Sequence, residues 1–184
     1  LNVINLYGGP GAGKSTTAAG LFYLMKLTGF RCELVTEYAK DLVYSNRTDM
    51  FAHQEFILAE QHHRISRLKD KVDWVITDSP LLLSTVYPRD FWGEGELLNK
   101  FNEFVCELDS QYNSINYFIK RRKEYQTFGR PHTESQAKEK DSIIENMLQH
   151  NNVIYNVINA DQHSCKIIHS DVVMLQEEMK YENN

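Results

Sequence analysis

The nine residues Gly8-Gly9-Pro10-Gly11-Ala12-Gly13-Lys14-Ser15-Thr16 constrain this chain more than any other stretch. They fit the pattern G-x-x-x-x-G-K-[ST], and both flanks agree with it. Val3, Ile4 and Leu6 form a short apolar run that predicts a buried strand before the loop. Ala18, Ala19, Leu21, Phe22, Met25 and Leu27 recur at helical spacing after it, until Gly29 offers a stop. Strand, glycine-rich loop and helix make an anion cradle, because glycines let backbone N–H groups turn inward and a helix N-terminus adds partial positive charge. Lys14 can then reach the β- and γ-phosphates of a nucleotide, and the Ser15 hydroxyl can ligate Mg²⁺. Gly9, Pro10, Gly11, Ala12, Gly13, Lys14, Ser15 and Thr16 are therefore the expected nucleotide-binding residues. A merely structural glycine turn is the alternative; the flanks and the two additional glycines count against it.

The rest of the chain alternates strand and helix signals. Strands are expected at Arg31–Thr36, Val72–Thr77, Ile115–Ile119 and Val153–Ile158, with a further short strand at Ile167-Ile168. Helices are expected at Tyr38–Tyr44, Asp49–Lys71 and Leu97–Leu108. A capping box, Thr133-Glu134-Ser135-Gln136, should open another that runs to His150, and Val172, Leu175 and Met179 fit a closing helix. Such alternation implies an α/β three-layer sandwich with a parallel sheet, and ligands at the carboxyl ends of its strands. At 184 residues and 42% hydrophobic content, one domain with a proper core is expected. Leu1 sits directly on the first strand, so no long leader is expected, and no stretch reads as a membrane span or signal peptide. Cys32, Cys106 and Cys165 are odd in number and lack C-x-x-C spacing. They read as core thiols in a reducing cytoplasm, not as a metal site. His53, His62 and His63 have no zinc spacing. A net charge of −5 argues against a surface that grips nucleic acid throughout, but leaves room for a local basic site.

Three features fall at expected strand ends. Asp78 closes the apolar run Trp74-Val75-Ile76-Thr77, an arrangement that places a carboxylate near Mg²⁺; a turn or helix cap is the alternative. Glu37 follows the second strand. There it could take the proton of an attacking hydroxyl, or simply favour the dipole of the helix it precedes. Lys120-Arg121-Arg122-Lys123 and Arg130 enclose a segment ending at Gly129. Basic residues on such a segment suit a lid over about residues 120–132, with Arg121 and Arg130 facing a transferred phosphoryl group; a solvated charge run is the other reading. On the long helix Gln54, Leu58, Gln61, Ile65 and Leu68 share one stripe. The reading favours a pocket for Gln54 and the core for Gln61. Tyr87, Phe91 and Trp92, expected in a loop, could stack on a planar acceptor or cover the core.

In their order along the chain, the P-loop, Glu37-Tyr38-Ala39-Lys40-Asp41, His53-Gln54, Thr77-Asp78 and Arg121 through Arg130 resemble a compact P-loop kinase family. That family includes the ribosylnicotinamide kinase domain of bacterial NAD regulators and small phage proteins labelled only as ATPases. The chain also resembles phage kinases that phosphorylate 5-hydroxymethyluracil in DNA during thymine hypermodification. Gly129-Arg130 followed by Thr-x-x-x-Ala and an acidic helix is most like the phage branch. The resemblance implies a nucleoside-kinase fold with strand order 2-3-1-4-5, Glu37 as acceptor-side base or orienter, and Asp78 as magnesium carboxylate. Tyr38 and Gln54 are the expected acceptor contacts. The Glu-Arg-Ser signature of many deoxynucleoside kinases is replaced here by Asp78-Ser79-Pro80.

Other P-loop classes fit less well. Asn99-Lys100-Phe101-Asn102 lacks the final Asp of a guanine reader, and Asp90-Phe91-Trp92-Gly93 follows Pro88-Arg89 where a GTPase has a buried strand. A mechanochemical ATPase would be expected to carry a helical lid domain, for which little chain remains. The expectation is thus an ATP- and Mg²⁺-dependent kinase acting on a hydroxyl of a nucleobase or nucleoside. A 5-hydroxymethylpyrimidine in phage DNA is the leading acceptor and a free nucleoside, including ribosylnicotinamide, the runner-up. An ATP-binding regulatory protein without acceptor turnover is the reading from another class.

Overall fold

The computed structural model describes residues 1–122 and 133–182. Expectations for Lys123, Gly129 and Arg130, and so for most of the lid, lie outside the described residues. Within them, strands β1 (Asn2–Tyr7), β2 (Cys32–Val35), β3 (Trp74–Thr77), β4 (Asn113–Lys120) and β5 (Tyr155–Asn159) form one sheet. Helices α1 (Lys14–Leu27), α2 (Tyr38–Tyr44), α3 (Gln54–Ser66), α4 (Arg89–Trp92), α5 (Glu96–Asp109), α6 (Glu134–His150) and α7 (Ser164–Glu182) connect or flank them. Every strand pairing is parallel, and the order is β2-β3-β1-β4-β5. No described helix is long and apolar enough to cross a membrane.

Burial on both faces explains the apolar strands. Val3 and Tyr7 of β1 pack with Leu58, Val105, Ile144 and Leu148, from α3, α5 and α6. Ile4 and Leu6 point the other way, onto Leu21 and Met25 of α1 and Ile168 and Val172 of α7. Each such side chain contributes about 1.5–3 kcal/mol when withdrawn from water, so packing outweighs local propensity. Gly20 illustrates the balance. A glycine inside a helix costs about 1 kcal/mol, yet a Cβ there would lie 3.0 Å from Cys165 Sγ, so its absence lets α1 and α7 close together. Asn5 interrupts the apolar pattern at 1% exposure. Its amide donates to Asn116 Oδ1 (3.0 Å), and the Asn116 amide donates to the Ile154 carbonyl (3.1 Å), so the buried polar groups are paired.

Most predicted elements stand within a few residues of their expected bounds, and α6 starts on its capping box. Thr133 Oγ1 accepts from Gln136 N–H, and Gln136 Oε1 accepts from Thr133 N–H. Three expectations are corrected. The long helix expected at Asp49–Lys71 is a 3-10 turn at Thr48–Ala52, then α3, which ends at Ser66. His53 breaks it with φ −97° and ψ 67°. There the Phe51 carbonyl accepts from Gln54 Nε2 (2.6 Å) and the Ala52 carbonyl from Trp92 Nε1 (3.1 Å), so side chains take up the carbonyls a continuous helix would use. At the far end Asp70 adopts a left-handed φ of 62°. Ile167-Ile168 is not a strand but part of α7. Ser164, Ile168 and Val172 form its buried stripe, a period that a two-residue apolar run does not reveal. The segment expected as a loop around Phe91 and Trp92 contains the short helix α4.

Candidate active site

The carboxyl ends of the strands bring the predicted residues to one place. β1 runs into the phosphate loop, where Gly8, Gly11 and Gly13 have φ of 138°, 74° and 108°, a left-handed backbone open to glycine. The Lys14 ammonium folds back over the loop and donates to the Gly8 and Gly9 carbonyls, at 2.7 and 3.2 Å. Burial lowers its pKa, while the charges of Glu37, Asp78 and Asp141 work in the opposite direction. Ser15 and Thr16 are exposed on the first turn of α1.

β2 and β3 deliver the two carboxylates side by side. Asp78 is 3% exposed, and its Oδ1 accepts the Glu37 backbone N–H at 3.0 Å, which ties the ends of the two strands together. Glu37 is half-buried. Burial raises its pKa; the Lys14 charge lowers it and Asp78 raises it further. Tyr87 lies in the same electrostatic environment. Its phenol is raised first by burial and then by the charges of Glu37, Asp90 and Asp141.

The remaining predicted residues divide. The Tyr38 backbone N–H donates to Gln61 Oε1 (3.0 Å), so Gln61 is a core residue that holds the start of α2. The Tyr38 ring meets Phe56 edge-on at 5.8 Å and lies under the Arg64 guanidinium at 4.9 Å. Gln54 is 5% exposed, its amide nitrogen bound to Phe51. Trp92 packs edge-on against Phe101 at 5.0 Å, whereas Phe91 is exposed. Arg121 leaves the end of β4 with its side chain 9% exposed, paired with Asp141 of α6, whose other oxygen reaches the phosphate loop. Arg122 is exposed and pairs with Asp161 in the loop after β5 (3.6 Å).

The residue that sequence reading missed is Asp141 of α6. Its Oδ1 accepts the Gly9 N–H at 2.5 Å, and its Oδ2 accepts Nε and Nη2 of Arg121 at 3.2 and 3.1 Å. A signal was present: Ala137, Asp141, Ile144 and Leu148 share one helical stripe, and an acid among buried apolar positions needs partners. Gly9 is explained by the same contact. A Cβ on it would lie 2.6 Å from Asp141 Oδ1 and 2.7 Å from the Ala137 carbonyl. On the other side of the loop a Cβ on Gly13 would lie 2.9 Å from Ala160 Cβ, so the β5–α7 connection also packs on the phosphate loop. A cavity of about 470 Å³ between the Leu81–Thr85 turn, α5 and α6 is lined by Asn99, Asn102 and Met147, and includes none of these site residues.

Parallel sheet, strand–loop–helix phosphate cradle and carboxylates on neighbouring strand ends define a P-loop NTPase fold. A family model described as an AAA domain (AAA_28) matches residues 3–164, and the chain belongs to that family. Among solved structures, the crystal structure of NadR protein in complex with NR superposes with a TM-score of 0.70 at 15% identity. The match covers 92% of this chain and 51% of the NadR chain, so this chain spans about half the length of that relative. No curated protein sequence matches.

Proposed function

We propose that this chain is an ATP- and Mg²⁺-dependent kinase that transfers the γ-phosphoryl group to a hydroxyl of a small nucleoside. The observation that carries the reading is the pair Glu37 and Asp78 beside Lys14. A module that only bound nucleotide would use one carboxylate near the metal. A second one, half-buried and raised in pKa, suits a base that takes a proton from an acceptor hydroxyl. In that reading the Lys14 ammonium and the backbone N–H groups of Gly11, Gly13, Lys14, Ser15 and Thr16 hold the phosphates. Ser15 Oγ and the second oxygen of Asp78 would hold magnesium, which supplies charge neutralisation between the phosphates. Their donor set fits that ion, being oxygen throughout: one exposed hydroxyl and one buried carboxylate. Glu37 accepts the hydroxyl proton as the new P–O bond forms and the bond to the departing diphosphate breaks. Arg121, and Arg130 outside the described residues, stabilise the equatorial charge. Tyr38, Gln54 and Tyr87 are the proposed acceptor contacts.

Charge pairing bears on the acceptor. Around the 3-10 turn, α3 and α4, Arg64 pairs with Asp41 (2.6 Å), Lys140 with Asp90 (2.8 Å), Arg47 with Asp49 (3.1 Å), and Arg89 with Glu94. Cations already matched to carboxylates offer little to a nucleic-acid backbone, which favours a free nucleoside over a base in DNA. Ribosylnicotinamide heads the candidates, because the fold is shared with a NadR structure that contains NR.

Phosphate transfer from labelled ATP to a panel of nucleosides and to DNA containing 5-hydroxymethyluracil tests this. A nucleoside should be labelled at a rate nearly flat between about 50 and 200 mM salt. Labelling of the DNA alone, falling steeply with salt over that range, would replace the acceptor with the polymeric one. ADP release that no acceptor stimulates would make the chain a nucleotide-binding regulator.

A further inference from the structure

Asp141 is an unexpected residue to find against a loop that cradles anions. Its charge opposes that of any phosphate, and Glu37 and Asp78 already crowd Lys14 with negative charge. Both of its oxygens are nonetheless committed, one to the phosphate loop through the Gly9 N–H and one to two nitrogens of the Arg121 fork. The two side chains are 18% and 9% exposed, so the pair is largely withdrawn from water. A carboxylate in that position holds a flexible arginine stem in one geometry, and the fork geometry fixes the plane of the guanidinium as well as its location. Its neighbour Lys140 bonds Asp90 and lies 5.3 Å over the ring of Tyr87. Consecutive residues of α6 therefore grip the phosphate loop on one side and the Tyr87 wall on the other.

We propose that Asp141 is a positioning residue: it sets the guanidinium of Arg121 against the phosphate loop, so that α6 fixes where the arginine meets the terminal phosphate. This rests on the kinase reading for the chemistry, but its binding component does not need an acceptor. Asp141→Asn keeps an oxygen for Gly9 and loses the charge that holds Arg121. Arg121→Lys keeps the positive charge and loses the fork. Neither substitution removes a direct contact with the acceptor.

The test measures affinity for ATP·Mg²⁺ and ADP·Mg²⁺ by calorimetry, and acceptor-dependent turnover, in the wild type, both single variants and the double variant. Misplacing a catalytic group by about 1 Å can cost on the order of a hundredfold in rate. Asp141→Asn should therefore lower kcat by about ten- to a hundredfold and shift acceptor KM by less than about threefold. Its ADP affinity should hold within about threefold while the preference for ATP over ADP shrinks about tenfold. In the Arg121→Lys background Asp141→Asn should change either quantity by less than about twofold, because the two residues act as a unit. Equal losses in both backgrounds would overturn the proposal, and so would an unchanged ATP-to-ADP preference in Asp141→Asn. If Asp141→Asn does not fold, Arg121→Lys alone decides, since it must show the same lost preference. Failure of the kinase reading looks different: the wild type would label no acceptor, while the coupling in nucleotide affinity would still be read.

Discussion

Gly9→Ala isolates the contact between α6 and the phosphate loop. Gly9 does not have the positive φ of Gly8, Gly11 and Gly13, so alanine meets no backbone strain there. The obstacle is space. The new methyl would lie 2.6 Å from Asp141 Oδ1 and 2.7 Å from the Ala137 carbonyl. Asp141 could swing aside only by releasing both Gly9 and Arg121, and the Ala137 carbonyl belongs to the helix backbone and cannot swing at all. Ordinary contact therefore requires α6 to retreat by about 0.7 Å at that point. Overpacking of this kind costs about 1–3 kcal/mol, and a hydrogen bond to a charged group contributes about 1.5–3 kcal/mol. Because the two losses overlap, about 3 kcal/mol is expected, or a fall in Tm of about 6–12 °C for a chain of this size. Thermal unfolding followed by circular dichroism gives the number. Gly29→Ala is the comparison: it has open space around it and φ of 84°, so only about 1 kcal/mol of backbone strain applies. A Gly9→Ala shift smaller than that of Gly29→Ala would refute the role of α6 as a fitted wall of the loop.

Lys14→Ala should lower nucleotide turnover by at least about a hundredfold with Tm within a few degrees of wild type; turnover within a few-fold would remove Lys14 from the chemistry. If Glu37 is the base, the acid limb of the kcat–pH profile should lie above the ordinary carboxylate range, rate being lost as pH falls through the raised pKa. Glu37→Gln should abolish that limb and spare ATP·Mg²⁺ binding, while Asp78→Asn should raise the Mg²⁺ requirement; a magnesium titration with the effects interchanged would exchange the roles. Asp109, at the end of α5, is raised by burial from 3.8 to about 6. A carboxyl shifted up in the folded state stabilises the fold less as pH rises through that interval, with a ceiling of about 3 kcal/mol. Asp109→Asn should therefore stabilise the protein at pH 8 and lose that advantage by pH 4; equal gains in urea unfolding at both pH values would contradict the assignment.

The sheet and the phosphate loop were legible because their signals are local: glycines, a lysine, and apolar runs read within ten residues. The capping box placed the start of α6 for the same reason. Reading failed where distant groups compete. The break at His53 depends on Trp92 reaching Ala52, some forty residues away, and no window around residues 49–71 contains it. Ile167-Ile168 was misread because two β-branched residues outweighed a helical period that only appears from Ser164 to Met179. Arg121 is legible as a basic residue after the fourth strand, but the partner that buries it, Asp141, lies twenty residues later. Glu37 and Asp78 can be read off strand ends, whereas Asp141, on a helix face, cannot. Strand ends announce themselves, and a single acid on a helix stripe does not.

The order of the sheet has a consequence for how the protein is made. β1 lies at its centre, between β3 and β4, and the apolar face of α1 is covered by α7. Ile168 and Val172, which shelter Leu21 and Met25, leave the ribosome roughly 145 residues after them. At about 5–20 residues per second the nascent chain carries that oily surface uncovered for roughly 7–30 s. β3 and β4, the parallel neighbours of β1, follow within this interval, but the phosphate loop still lacks Asp141 and Ala160, which pack against Gly9 and Gly13. The segment that most plainly marks this chain in sequence is thus among the last to acquire its shape, and the first helix is where a chaperone would find the longest-lived exposed surface.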